Sequence, residues 1–184
     1  MNDGSLFRSA WRAVSHPKSF FETLNDEPRI GVAAALALAS VTVGSILAAL
    51  LLMRATGSDG WLPLLLGVPL LTVPYLAVIC VLGGLVLMRP TGMDLRAFEI
   101  VAWAWLPSGL LAVTLLPIGL LAPWPTLLGG ALFLLPPWHM WIVWRGVEVH
   151  AENAPRMAFG LYVAAVFGLP AALLTFTLAV LAKL

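Results

Sequence analysis

The fold class follows first from residues 100–144, which read IVAWAWLPSGLLAVTLLPIGLLAPWPTLLGGALFLLPPWHMWIVW. This stretch runs for 45 residues without an Asp, Glu, Lys or Arg. A helix crosses the hydrocarbon core of a bilayer with roughly 20 apolar residues, so the stretch is long enough for two crossings. We expect them to be joined at Ala122-Pro123-Trp124-Pro125, where the prolines favour a break.

The chain as a whole is also strongly apolar. Of its 184 residues, 61% are hydrophobic and 10% are charged, whereas a soluble domain has about 25% charged residues. The composition predicts an all-α, integral membrane bundle of five transmembrane helices, because the runs are continuously apolar rather than alternating. The predicted spans are residues 30–53, 61–88, 101–122, 124–144 and 157–182, which together make residues 30–184 one transmembrane domain.

Residues 1–29 are predicted to form a cytoplasmic, interfacial segment of short amphipathic helices. Its apolar side chains, Leu6, Phe7, Ala10, Trp11 and Val14, share one helical face. Two interpretations stay open: a surface helix that only anchors the bundle, or an element that senses the membrane or docks a partner.

The orientation follows from the positions of Lys and Arg. With five spans, the N-terminus and the loops at 89–100 and 145–156 share one side, which carries eight basic residues, whereas the other side carries only Arg54 and Lys183. The positive-inside rule therefore predicts a cytoplasmic N-terminus and a C-terminus across the membrane. The composition suits a bacterial cytoplasmic (inner) membrane.

Two helices carry small residues every four positions, a pattern that lets helix backbones approach closely in lipid. The residues are Ser40, Gly44 and Ala48 in the first span and Gly160, Ala164, Gly168 and Ala172 in the fifth. We interpret both stripes mainly as packing within the chain, with a homodimer face as the alternative.

Eight prolines lie inside the predicted spans, and each is expected to kink or interrupt its helix: Pro63, Pro69, Pro74, Pro107, Pro117, Pro136, Pro137 and Pro170. Transporters build midplane sites from such broken helices. No ionisable residue accompanies these prolines at the midplane, which disfavours a site for a transported ion.

Polar residues concentrate at the predicted cytoplasmic boundary, and the candidate cluster is Asp94, Glu99, His139, Arg145 and Glu148. An ionisable residue within a span suggests a functional site, and Glu99 is the expected partner of His139. The cluster would respond to protons or bind a lipid headgroup. The structural alternative has His139 satisfied by a backbone carbonyl freed near Pro136. The order Thr91-Gly92-Met93-Asp94 also resembles a helix capping box.

Other chemistry has little support in the sequence. His139 and His150 do not share a helix turn, no HExxH or paired-cysteine motif occurs, and Cys80 is the single cysteine, so no metal site or cofactor is expected. Catalytic motifs and a basic nucleic-acid footprint are likewise missing, and we expect neither an enzyme nor a nucleic-acid-binding protein.

Three stretches resemble the Yip family, multi-pass membrane proteins that interact with Ypt/Rab GTPases. They are residues 16–21 (HPKSFF), residues 92–107 (GMDLRAFEIVAWAWLP) and residues 144–158 (WRGVEVHAENAPRMA). The resemblance implies five helices and a cytoplasmic N-terminus. Eukaryotic members have a longer N-terminal region than the 29 residues here, so the resemblance is to the short prokaryotic members and does not imply a GTPase partner.

The function expected from these features is a non-enzymatic membrane scaffold or accessory subunit, in membrane organisation or a trafficking-like assembly. Its expected partners are the lipid bilayer and other membrane proteins or further copies of the chain. The alternative is a lipid scramblase or transporter-like protein that uses a groove between kinked helices.

Overall fold

The computed structural model describes residues 3–24, 27–56, 61–119, 124–168 and 170–172, together with residues 175 and 179. All secondary structure in these residues is helical. The helices are α1 (Asp3–Ser15), α2 (Pro17–Glu22), α3 (Ile30–Thr56), α4 (Trp61–Thr91), α5 (Arg96–Trp103), α6 (Leu106–Gly119), α7 (Trp124–His150) and α8 (Pro155–Val163). A π-helical turn, Ala164–Gly168, continues α8. The all-α prediction is confirmed for this part of the chain.

Three segments of the described residues are long and apolar enough to cross a membrane. They are Ile30–Leu47 in α3, Thr72–Thr91 in α4, and Pro155–Ala172, which begins with α8. These segments fall in the first, second and fifth predicted spans. Helix α6 has only 14 residues, about 21 Å at 1.5 Å per residue. In α7, Pro136, Pro137 and His139 interrupt the run of apolar residues.

The third predicted span is not one helix, because the chain breaks between α5 and α6 at Ala104 and Trp105. Here Trp105 N–H bonds the Ala102 carbonyl at 3.1 Å, and Ser108 N–H bonds the Trp105 carbonyl at 3.2 Å. Both bonds join residues three apart in the sequence, whereas the bonds of an α-helix join residues four apart. Pro107 lacks an N–H and follows the break directly, so it explains the interruption.

The other prolines in described helices are accommodated without ending them. Helix α4 runs through Pro63, Pro69 and Pro74, and α7 contains Pro136 and Pro137. The predicted connection at Ala122-Pro123 lies outside the described residues.

The N-terminal helices pack onto the bundle by one face. Val14, Phe20 and Phe21 are buried, and the indole Nε1 of Trp138 in α7 donates to the Val14 carbonyl at 3.2 Å. Phe7 and Trp11, expected on the same face as Val14, stay 76% and 51% exposed. The predicted apolar face is therefore divided into a part that packs and an aromatic edge that does not.

Helix α3 packs against α4 and α6, α4 also packs against α5 and α8, and α2 packs against α7. The first small-residue stripe lies in the contact between α3 and α6. A Cβ on Gly109 of α6 would stand 2.8 Å from the Cα of Ser40, and one on Gly44 would stand 3.3 Å from the Ser108 carbonyl oxygen. Packing within the chain therefore accounts for Ser40 and Gly44, while the side chain of Ala48 lies outside the described part.

The second stripe does not pack within the described chain, which corrects its interpretation. Gly160, Ala164, Gly168 and Ala172 are all exposed. A Cβ on Gly160 would meet nothing within 4 Å, and one on Gly168 would meet only the Val163 carbonyl at 4.0 Å. Helix α8 buries other residues instead, namely Ala158 and Tyr162.

Residues 17–24, 89–96 and 145–156 meet at one end of the bundle, called the basic end below. The Thr91 carbonyl accepts the Glu152 N–H at 3.1 Å and the Asn153 N–H at 3.4 Å. The Phe21 ring lies 6.2 Å from the His150 ring, edge to face. This end carries Lys18, Arg89, Arg96, Arg145 and Arg156.

Candidate functional site

Glu99 is the most deeply buried charged residue of the predicted cluster. Its side chain has no solvent exposure, pairs with Arg96 one turn earlier in α5, and accepts from the Trp103 indole at 3.4 Å. The Phe20 ring covers Trp103 with centroids 4.8 Å apart. Burying a charge is costly unless it is paired and hydrogen-bonded, and Glu99 meets both conditions.

His139 is buried, with 4% exposure, and both ring nitrogens are hydrogen-bonded. Nδ1 lies 3.0 Å from the Ala104 carbonyl oxygen, and Nε2 lies 2.5 Å from the Tyr162 hydroxyl. A carbonyl can only accept, so Nδ1 carries the proton, and Nε2 of the neutral ring accepts from the tyrosine. The imidazole thus joins the α5–α6 break to α7 and α8.

The structural alternative, in which a carbonyl freed near Pro136 satisfies His139, is wrong about the proline. The carbonyl that satisfies Nδ1 belongs to Ala104, and it is free because Ser108 N–H bonds Trp105 instead. The break before Pro107, rather than Pro136, supplies it. Trp105 flanks the imidazole with ring centroids 4.6 Å apart.

Glu99 and His139 are not partners, contrary to the prediction. Each has its own hydrogen-bond partners, and no described hydrogen bond joins the two. Glu148 lies elsewhere, at the surface of α7, where it accepts from Arg145 at 2.6 Å. That hydrogen bond, opposed by a small loss of hydration, lowers the pKa of Glu148. The five predicted residues therefore belong to separate groups.

The capping box is also wrong. Thr91 ends α4, where its hydroxyl donates to the Leu87 carbonyl at 2.5 Å and accepts the Met93 N–H at 3.2 Å. Leu95 precedes α5 and makes no side-chain cap. Gly92 has a φ of 74°, which lets the chain turn sharply between α4 and α5.

A cavity of about 550 Å³ opens at the basic end, and we call it the loop cavity. Asp94 is the member of the predicted cluster that lines it. The other polar residues on its wall are Arg96, His150 and Glu152, and its apolar wall includes Met88 and Met93.

His150, in the loop cavity, has one unsatisfied nitrogen. Its Nε2 is buried and has no hydrogen-bond partner among the described residues. Burial, and then the positive charge of Arg96, lowers the pKa of His150, while the Phe21 carbonyl and the charge of Glu99 oppose that shift. The imidazole is therefore neutral near pH 7.

Sequence reasoning did not bring these residues together. Met88 and Arg96 lie near the two helix ends that flank the α4–α5 turn, whereas Glu152 lies in the turn after α7, much further along the chain. The backbone bonds from the Thr91 carbonyl to residues 152 and 153 create the wall, and no local pattern signals them. The run of charges and histidine at 148–152 was the available signal.

Two apolar clefts flank α8. One, about 530 Å³, lies between α7 and α8 and is lined by Trp141, Trp144 and Phe159, with Arg156 at one end. The other, about 670 Å³, lies between α4 and α8, with Arg89 in its wall. Acyl chains of lipids fit such surfaces, and arginines fit lipid phosphates.

No group of three or more His, Cys, Asp or Glu residues within the described ranges is arranged to hold a metal ion. Comparison of the chain with protein-family models, with curated proteins and with solved structures gives no match.

Proposed function

We propose that this chain is a non-enzymatic scaffold or accessory subunit of a bacterial inner membrane, which assembles with itself or another membrane protein through α8. The single observation that carries the proposal is the exposed stripe Gly160, Ala164, Gly168 and Ala172.

Small residues at four-residue spacing are typical of close helix–helix contacts in membranes. In α3 the same pattern is used within the chain, where Ser40 approaches Gly109. In α8 the pattern has no intramolecular partner among the described residues. A backbone exposed by glycine in lipid gains most when another helix packs on it, so the stripe favours an intermolecular contact.

We further propose five crossings with a cytoplasmic N-terminus. Helices α5 and α6 would form the third crossing despite their break, since Arg96–Gly119 contains 24 residues, about 36 Å of helix. Helix α7, with 27 residues, would form the fourth. The basic residues gathered at the basic end support a cytoplasmic location for that end.

The buried polar groups support a structural role rather than catalysis. Glu99 is held by Arg96 and Trp103, while His139 is held by Ala104 and Tyr162. Groups used in this way hold helices together and present no reactive atom to a substrate. The alternative, a lipid scramblase, is favoured by the two clefts beside α8, each of which has an arginine in its wall.

The test of the assembly proposal uses Gly160→Ile and Gly168→Ile in the full chain. A Cβ added at Gly160 would meet nothing within 4 Å, and one added at Gly168 would meet only the Val163 carbonyl oxygen at 4.0 Å, so both positions have open space beside the backbone. Gly31→Ile is the matched control, because Gly31 is also an exposed helical glycine with nothing within 4 Å.

We expect Gly160→Ile and Gly168→Ile to lose self-association, or a co-purifying partner, in gentle detergent extracts analysed by native mass spectrometry. Gly31→Ile should behave as the wild type. Unchanged assembly in all three variants would contradict the proposal. A liposome lipid-flipping assay with the same proteins tests the alternative, which predicts flux that does not depend on assembly.

A further inference from the structure

The cleft between α7 and α8, called the α7–α8 cleft below, combines an apolar wall with one charged end. Its volume is about 530 Å³. It is lined by Pro137, Met140, Trp141 and Trp144 of α7 and by Arg156 and Phe159 of α8. The four α7 residues recur at the spacing of one face of an α-helix. The wall therefore runs along one face of α7.

The two helices give the α7–α8 cleft a direction. Trp144 of α7 and Phe159 of α8 contact edge to face, with ring centroids 5.3 Å apart. From Trp144 the cleft continues along α7 to Pro137, about 10 Å away at 1.5 Å per residue. Arg156 lies in the first turn of α8, towards the basic end. The cleft is thus charged at the basic end and apolar away from it, as a lipid is in the membrane leaflet at that end.

The charge of Arg156 is available to a ligand. Its side chain is exposed, and within the described part of the chain it forms neither an ion pair nor a hydrogen bond. Arg145, next to Trp144 in the sequence, differs because its guanidinium donates to Glu148 at 2.6 Å. The α7–α8 cleft therefore has one positive charge that no described acid compensates.

The chemistry of the wall selects the ligand. The described residues that line the cleft include no Asp or Glu, so a cationic headgroup would meet no carboxylate there. A guanidinium binds phosphate through paired N–H···O hydrogen bonds. Indole rings, such as those of Trp141 and Trp144, prefer the headgroup level of a bilayer, where lipid phosphates lie. The wall thus matches an anionic lipid better than a zwitterionic one.

We propose that the α7–α8 cleft binds an anionic phospholipid, one whose phosphate diester carries no compensating ammonium, from the leaflet at the basic end. The Arg156 guanidinium binds the phosphate. Trp144 and Phe159 contact the glycerol, while Met140 and Trp141 contact the first carbons of an acyl chain.

This lipid site is distinct from the small-residue stripe of α8. Phe159 and Gly160 are neighbours in the sequence and therefore point about 100° apart around the helix. Phe159 is half-buried beside Trp144, whereas Gly160 is exposed. Lipid binding goes beyond the assembly proposal, and either can fail without the other.

The test measures lipid binding to the delipidated full chain in detergent, by native mass spectrometry and by the rise in unfolding temperature on adding lipid. The probes are phosphatidylglycerol, phosphatidylethanolamine and phosphatidylcholine with identical chains, and free glycerol 3-phosphate as a competitor. Phosphatidylglycerol carries the phosphate charge alone, whereas the other two lipids add a cation. We expect phosphatidylglycerol to bind about tenfold more tightly than either. Glycerol 3-phosphate should compete weakly, because it lacks the acyl chains.

The variants separate the charge of the cleft from its apolar wall. We expect Arg156→Gln to lower the binding of phosphatidylglycerol to that of phosphatidylethanolamine, and Arg156→Lys, which keeps the charge, to keep part of the preference. Lys18→Gln is the matched control, because Lys18 is also an exposed basic residue of the basic end but lies outside the cleft wall, and it should keep the whole preference. Trp141→Ala should weaken the binding of all three lipids. Gly160→Ile should bind them as the wild type does.

The occupant of the cleft is tested in native membranes with a benzophenone amino acid in place of Trp141. We expect lipid adducts that are richer in anionic lipid than those from Val78, an exposed residue in the apolar window of α4. A protein adduct from position 141 would show that another chain fills the cleft and would overturn the proposal.

The binding measurements can also overturn it. Equal binding of phosphatidylglycerol and phosphatidylethanolamine to the wild type would do so, as would a preference that survives Arg156→Gln. Competition by glycerol 3-phosphate as strong as by the lipid would show a site for a soluble phosphate ester instead. A preference that Gly160→Ile abolishes would place the lipid on the small-residue stripe rather than in the α7–α8 cleft.

Discussion

His139 and Tyr162 are joined by a hydrogen bond of 2.5 Å between the imidazole Nε2 and the phenolic hydroxyl. The same ring donates from Nδ1 to the Ala104 carbonyl, so one side chain satisfies groups on two other segments. An ionisable residue in the middle of a long helix is here a connection between helices. His139 lies beside the break between α5 and α6, where a polar side chain bonds the freed Ala104 carbonyl.

Replacement of His139 should therefore destabilise the bundle. His139→Leu leaves the Ala104 carbonyl and the Tyr162 hydroxyl unpaired, and each unpaired buried group costs about 1–3 kcal/mol. Tyr162→Phe leaves only His139 Nε2 unpaired, so its effect should be smaller. Unfolding in detergent, followed by circular dichroism, measures both. A His139→Leu variant as stable as the wild type would refute this role.

Glu99 and Glu148 each pair with an arginine three residues earlier in the chain, but only Glu99 is buried. Glu99→Gln removes the charge that compensates Arg96 in a buried setting, and the loss should be about 3 kcal/mol. Glu148→Gln, at the surface, should leave the unfolding temperature unchanged. Equal effects of the two substitutions would show that burial does not decide their energetics.

The two turns at the basic end use left-handed backbone conformations at Gly92, with φ 74°, and at Ala154, with φ 42° and ψ 47°. An L-residue with a Cβ is strained in this region by about 1 kcal/mol, and glycine is not. Ala154→Gly should therefore raise the unfolding temperature, and Gly92→Ala should lower it. The prediction fails if both substitutions shift the temperature in the same direction.

We expect the unfolding temperature to depend on pH because of His150. Burial and Arg96 lower its pKa in the folded chain, so the unfolded chain binds more protons at mildly acidic pH. Stability contributed by the neutral ring is present above the unfolded pKa of about 6.5 and is lost as the pH falls below it. When the pH is lowered from about 7.5 to 5.5, the unfolding temperature of His150→Gln should fall less than that of the wild type. An equal fall in unfolding temperature for the wild type and for His150→Gln would contradict the lowered pKa of His150.

The helical class could be predicted because long apolar runs suffice for it, and the three apolar windows overlap the first, second and fifth predicted spans. The break at Ala104 had a local signal in Pro107. The group that bonds the freed Ala104 carbonyl had no local signal, because that group is His139, 35 residues further along the chain. Tertiary packing alone decides such contacts.

The two small-residue stripes show the same limit. Gly44 and Gly160 look alike in sequence, yet Gly44 faces Ser108 and Gly160 faces open space. Periodicity identifies a face that allows close approach but does not say which helix approaches it. The division of Phe7 and Trp11 from Val14 likewise depends on how α1 sits on the bundle.

Assembly through the exposed small-residue stripe can be detected by photo-crosslinking in native membranes. A benzophenone amino acid is placed at Gly160 on the stripe, and at Val78 as the control, an exposed residue in the apolar window of α4. We expect a protein adduct, with a second copy or another membrane protein, from position 160 and only lipid adducts from position 78. Lipid adducts alone from position 160, or the same protein adduct from both positions, would contradict assembly through the stripe.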